Sequence, residues 1–149
     1  MERVDFDQLC KRAYSSESML KDKDNLWLEV FKLSEWYFIA RGALPEVYPY
    51  IAEANIIEPN SHWVYAFTDS NRATFYAKKN NLYMDDKTSQ LISVPNDDKL
   101  IPWLENLQEE GVKGVFFNAD GHGFFVPIKQ LRLIREHLNQ SYPAEIQNK

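Results

Sequence analysis

The fold is decided by the stretch His62-Trp63-Val64-Tyr65-Ala66-Phe67-Thr68-Asp69-Ser70-Asn71-Arg72-Ala73, which runs on to Asn81. Trp63 to Phe67 is an unbroken apolar run rich in β-formers, which predicts a strand covered on both faces. Thr68, Asp69 and Ser70 are all good N-cap residues, so a helix is expected to start at once. Lys78 and Lys79 complement the negative end of that helix's dipole. Asn80 and Asn81 accept the left-handed conformation that ends helices. The reading is a central strand with a helix folded back on it.

Upstream, Phe6, Leu9, Cys10 and Ala13 recur at helical spacing and predict a first helix from Asp5 to about Tyr14. Ser15 to Asp24 is polar and reads as a loop or a weak turn of helix, with Asp24 as the cap of a second helix from Asn25 to Leu33, a segment for which a strand is the alternative. Trp36 to Ala40 reads as a buried strand ended by Arg41-Gly42 and Pro45. Val47 to Ala52 reads as another, at an edge or interrupted, because Pro49 lacks an N–H to donate.

Downstream, Asp85-Asp86-Lys87 is a loop and Gln90 to Val94 a short strand. Asp97 and Asp98 announce a helix with Leu100, Leu104 and Leu107 inward. Pro102 must then lie in its first turn, and Gly111 ends it. Val115-Phe116-Phe117 and Phe124-Phe125-Val126 are expected to form a hairpin across Ala119-Asp120-Gly121-His122-Gly123. Its geometry calls for a positive φ at Gly121 or Gly123. Pro127 opens a last helix with the stripe Ile128, Leu131, Ile134 and Leu138. The predicted class is therefore α+β: a single domain with a mixed β-sheet, packed helices and a C-terminal β-hairpin plus helix. Residues 1–24 read as an N-terminal helical segment, 25–140 as the α+β domain and 141–149 as a frayed polar tail.

A chain of 149 residues is long enough for one sizeable core. Nine Phe, eight Tyr and four Trp predict a core built largely of rings, with some aromatic surface left over. The net charge of −5 argues against general binding to nucleic acid or anionic membrane. Lys129, Arg132 and Arg135 form the one dense cationic cluster, and at helical spacing they read as a solvated face. The single cysteine, Cys10, excludes an internal disulfide and suits a reducing cytoplasm. No apolar h-region follows Met1, so no secretory signal is expected. No apolar run approaches the roughly 20 residues of a spanning helix.

No catalytic set is legible. His62, His122 and His137 lack the spacing of a helical metal pair, so no metal site is expected. His137 reads as a surface residue. There is no GxSxG, GxxxxGK[ST] or GxGxxG, and Cys10 sits on an apolar stripe as a small hydrophobe. Asp120 beside His122 has the form of a carboxylate orienting a general base, but the turn explains its glycines without chemistry. Catalytic residues, cofactors and metals are accordingly all expected to be none. If a ligand pocket exists, it belongs at the strand ends, lined by Asp69, Asn118, Asp120 and His122.

Val64-Tyr65-Ala66-Phe67-Thr68-Asp69, followed by Arg72-Ala73 and Phe75, carries a resemblance. So do Leu104, Gly111-Val112-Lys113-Gly114-Val115, Asn118, Gly123-Phe124 and Pro127 downstream. In this order they resemble the SseB-like family, named for a bacterial "enhanced serine sensitivity" protein, over about Asn25 to Leu138. Ala119 and Asp120 stand where the family usually places proline and glycine, and longer members carry a further C-terminal domain. The resemblance implies an α+β domain of the bacterial cytoplasm, with no catalytic residues to carry over. The expected function is a non-enzymatic protein-binding or regulatory module, one version being an acidic partner of a basic protein. The alternative is a small-ligand-binding domain or minor enzyme using the strand-end residues. A protein partner is expected, nucleic acid and membrane are not, and a homo-oligomer is left open.

Overall fold

The computed structural model describes residues 4–15, 17 and 19–146. In chain order the elements are α1 (Phe6–Ala13), α2 (Leu20–Lys32), β1 (Glu35–Ala43), β2 (Glu46–Pro49), β3 (Ile51–Glu53), β4 (His62–Phe67) and α3 (Ser70–Lys79). There follow β5 (Leu91–Pro95), α4 (Leu100–Glu109), β6 (Val112–Phe117), β7 (Phe124–Pro127), α5 (Ile128–Ser141) and α6 (Pro143–Ile146). The strands form one seven-stranded sheet on the path β2-β1-β4-β6-β7, with β3 on β4 and β5 on β1. β4 and β6 run parallel, and the other pairings are antiparallel. The chain is an α+β protein with a mixed sheet.

β4 is central because both its faces are apolar. Val64 and Ala66 join the core beneath α1, α2, α4 and α5, while Trp63, Tyr65 and Phe67 join a second core beneath α3. Ala73 and Ala77, one turn apart and fully buried, let α3 lie close on that second face. The first core is stacked rings. Phe117 of β6 and Phe124 of β7 lie parallel with centroids 5.0 Å apart, and Trp27 and Trp36 meet Phe117 edge-on. These two phenylalanines face each other across the predicted hairpin.

Several local expectations are corrected. α2 begins at Leu20, not after Asp24. The Asp22 carboxylate accepts from the Met19 N–H at 2.9 Å and so secures the earlier start. Asp24 is buried within the helix, where its carboxylate meets the His137 ring at 3.1 Å and accepts from the Tyr142 hydroxyl at 3.1 Å. His137 is exposed, as its place on the helix predicts, and its ring also tethers α5 to α2. β1 continues past Gly42, which takes φ +92°, to a turn at the cis Leu44–Pro45 bond. The predicted strand Val47–Ala52 is interrupted, as Pro49 led to expect, at Tyr50 in the fork between β1 and β4. There Tyr50 donates to Ile39 and accepts from Tyr65.

Asp97 and Asp98 do precede a helix, α4, which starts without a side-chain cap. Asp97 accepts from the Lys99 N–H in a turn just before the helix. The tail does not fray from residue 141: Tyr142 binds Asp24, α6 follows, and Glu145 pairs with Lys32. Residues 147–149 of the predicted tail lie outside the described residues. Arg132, in the basic stripe on α5, is tied to Glu105 of α4 by two bonds of 2.7 Å. No helix among the described residues is long and apolar enough to cross a membrane.

Candidate functional site

The parallel strands β4 and β6 end side by side, with Ala66 opposite Phe117. Asn118, the residue just after β6, turns into the left-handed region at φ 53° and donates its N–H to the Ala66 carbonyl at 2.9 Å. Asparagine tolerates that conformation better than other residues with a Cβ. Its side chain is fully buried. Oδ1 accepts from the Thr68 N–H at 3.1 Å, and Nδ2 donates to the Thr68 hydroxyl at 3.1 Å. Asn118 is therefore a clasp between the strand ends and does not face a ligand.

One residue on, Asp69 caps α3: its Oδ1 accepts from the Arg72 N–H at 2.8 Å. The first turn of α3 then sends the Arg72 side chain, 19% exposed, across to the β6–β7 loop. Nη1 donates to Asp120 Oδ2 at 3.0 Å and Nη2 to Asp7 Oδ2 at 2.8 Å, while Nε lies 3.9 Å from Asp69 Oδ2. Asp7 comes from α1, which Asp5 caps by accepting from the Gln8 N–H. The other Asp7 oxygen accepts the His122 backbone N–H at 3.0 Å. One turn later, the Cys10 thiol donates to the Gly123 carbonyl at 3.5 Å. The first helix is thus bolted to the hairpin loop by a carboxylate and a thiol.

Arg72 answers its three carboxylates unequally. Burial works to raise the Asp7 carboxyl, but the Arg72 hydrogen bond, the His122 N–H and the nearby positive charge outweigh it and hold it low. For Asp120, burial wins over the charge of Arg72, and its carboxyl is pushed up. Asp120 Oδ1 is buried with no hydrogen-bond partner. Burial also raises the Cys10 thiol to about 11, with help from the charge of Asp7, which makes it a poor nucleophile.

The glycines of the loop serve close approach, not the predicted positive φ. Among the described residues the positive-φ glycines are Gly42 and Gly111. A Cβ on Gly121 would sit 2.7 Å from Asp7 Oδ1 and 3.1 Å from Arg72 Nη1, and one on Gly123 would sit 2.4 Å from the Phe116 ring.

Two hollows meet at this loop. The first is an open recess of about 500 Å³, lined by Val4, Asp5, Asp7, Asp69, Asn71, Arg72, Asp120 and Gly121. Among the described residues it holds four carboxylates against one guanidinium. The second, of about 190 Å³, is lined by Ile56, Ile57, Phe116, Ala119, Gly121, Gly123 and Phe125. Gly121 belongs to both walls.

Of the four residues expected to form a pocket, Asp69 and Asp120 do share the first recess. Asn118 is buried behind it. His122 is exposed, lines neither hollow, and is held through its backbone N–H. The Asp120–His122 pairing does not form, because Asp120 is paired with Arg72. Arg72 and Asp7, the centre of the arrangement, were not legible as site residues. They are 65 positions apart, and each looks locally like an ordinary first-turn residue. Among the described residues no group of three or more His, Cys, Asp or Glu is placed to hold a metal ion. Comparison with known proteins finds no matching family model, curated protein or solved structure.

Proposed function

We propose that the chain is a non-enzymatic protein-binding or regulatory module of a bacterial cytoplasm, of the SseB-like kind. The supporting observation is the outer face of the sheet beside the β6–β7 loop. α3 lies over β1, β4 and β5. Beside it, Ile56 is 87% exposed and Phe125 40% exposed, with the Phe125 ring edge-on to Trp63 at 5.5 Å. A part-exposed aromatic ring seated on a buried one, as Phe125 is on Trp63, is the kind of residue that anchors protein interfaces. The Arg72 network fixes the β6–β7 loop at the edge of this face by engaging Asp7 and Asp120.

The test is affinity capture from an extract of the source organism with the native chain, Phe125→Asp and Ile56→Asp as baits. Mass spectrometry identifies what is retained, and thermal melts confirm the fold of each bait. A partner held by the native chain and lost by both variants is expected. Identical retained sets would refute the reading. The unpartnered Asp120 Oδ1 favours a second reading, a small cationic ligand in the recess. A thermal-shift screen of polyamines and amino acids, repeated on Asp120→Asn, separates it from the first.

A further inference from the structure

We infer that the partner docks through a segment in which a bulky apolar side chain stands next to a lysine or arginine. The apolar residue fills the hollow between Ile56, Phe116 and Phe125, and the cation lies over the acidic recess on the other side of Gly121. This inference rests on the protein-binding reading and specifies the chemistry of what is bound.

Three observations carry it. The apolar hollow, about 190 Å³, falls below the roughly 300–1,000 Å³ of small-molecule pockets and matches one side chain. The two hollows share the wall at Gly121, which places them side by side for neighbouring side chains of one segment. The charge of the recess selects the second side chain. Among the described residues, four carboxylates face a single guanidinium whose two terminal nitrogens are engaged by Asp7 and Asp120. The whole chain carries −5, so a basic segment is drawn in and an acidic one repelled. The same charge works against a symmetric second copy, which would bring two acidic recesses together.

The experiment uses the full chain and an array of synthetic 12-residue peptides on a Gly/Ser background. Each peptide carries one Leu, Ile, Phe or Trp flanked by Lys, Arg, Ser or Glu. Binding is read by fluorescence anisotropy at about 50 and 300 mM salt, which spans the range over which exposed charges become screened. Lys- and Arg-flanked peptides are expected to bind at least tenfold more tightly than Glu-flanked ones and to weaken at the higher salt. Ile56→Asp and Phe125→Asp should each abolish binding. Asp69→Asn, which keeps the helix cap, should weaken it severalfold. Because Ile56 stands almost free of the core, its variant keeps the test valid if Phe125→Asp is unstable.

Equal binding of Glu-flanked peptides, or binding indifferent to both patch variants, would overturn the inference. So would peptides that all fail to bind while the same variants still lose a protein from the extract; the protein-binding reading would then stand and only this chemistry fall. Concentration-dependent sedimentation of the native chain that disappears in Ile56→Asp would assign the face to a second copy and also overturn it. Failure of the reading itself has a separate signature, the unchanged capture set described above.

Discussion

Replacing Asn118 with alanine tests the clasp at the strand ends. The substitution removes the acceptor of the Thr68 N–H and the donor to the Thr68 hydroxyl, both in a fully buried position. A buried backbone N–H left without a partner costs ~1–3 kcal/mol, and the second bond adds about 1 kcal/mol. Alanine must also hold φ 53°, a further cost of ~1 kcal/mol that asparagine largely avoids. The total is about 4 kcal/mol, a large part of the ~5–15 kcal/mol that holds a domain together. For a chain of this size each kcal/mol moves the midpoint by about 2–4 °C, so a fall of roughly 10 °C is expected. Asn118→Gly separates the two causes: it loses the same hydrogen bonds but meets no steric objection to positive φ. It should therefore be about 1 kcal/mol more stable than Asn118→Ala. Urea and thermal melts followed by circular dichroism measure both. An alanine variant within 1 kcal/mol of the native chain, or a glycine variant less stable than the alanine one, would refute the reasoning.

Asp69→Ala should cost about 1 kcal/mol through loss of the α3 cap, while Asp69→Asn should melt almost as the native chain does. Arg72→Met should alter the acid limb of the stability curve. The low Asp7 carboxyl supplies stability that is present above its unfolded value and lost as pH falls through the folded one. The raised Asp120 carboxyl does the opposite, favouring the fold when protonated and disfavouring it as pH rises. Without the guanidinium the first contribution goes and the second grows. The gap in melting temperature between variant and native chain should narrow from pH 7 toward pH 4, and a constant gap would contradict the network. With its thiol near 11, Cys10 should react with iodoacetamide at pH 8 far more slowly in the folded chain than in guanidinium chloride, as mass spectrometry of the adduct would read. Gly123→Ala should destabilise by more than 1 kcal/mol, because its methyl meets the Phe116 ring, and an unchanged melt would mean that the ring simply moves aside.

What was legible in the sequence was local or periodic. The run Trp63–Phe67 announced a strand buried on both faces, and that is the central strand, with alternate residues in two different cores. Asp69 was legible as a cap because a cap binds three residues ahead. Gly111 and Asn81 announced left-handed ends for the same reason, and both take positive φ. The α+β class followed from counting such segments.

What only the tertiary structure decided was which distant groups meet. Asp24 has the composition of a helix cap, and its residue type could not reveal that His137 and Tyr142, more than a hundred positions on, would take its oxygens inside a helix. Gly121 and Gly123 look like flexible turn residues; they are required because Asp7, Arg72 and Phe116 arrive from elsewhere and leave no room for a Cβ. Asp120 and His122 are two residues apart, yet the carboxylate turns to an arginine 48 positions away, and His122 is exposed and bound through its backbone to Asp7. Buried charge goes to whichever partner the packed backbone brings within about 3 Å. That distance is set by how the helices lie on the sheet, not by spacing along the chain.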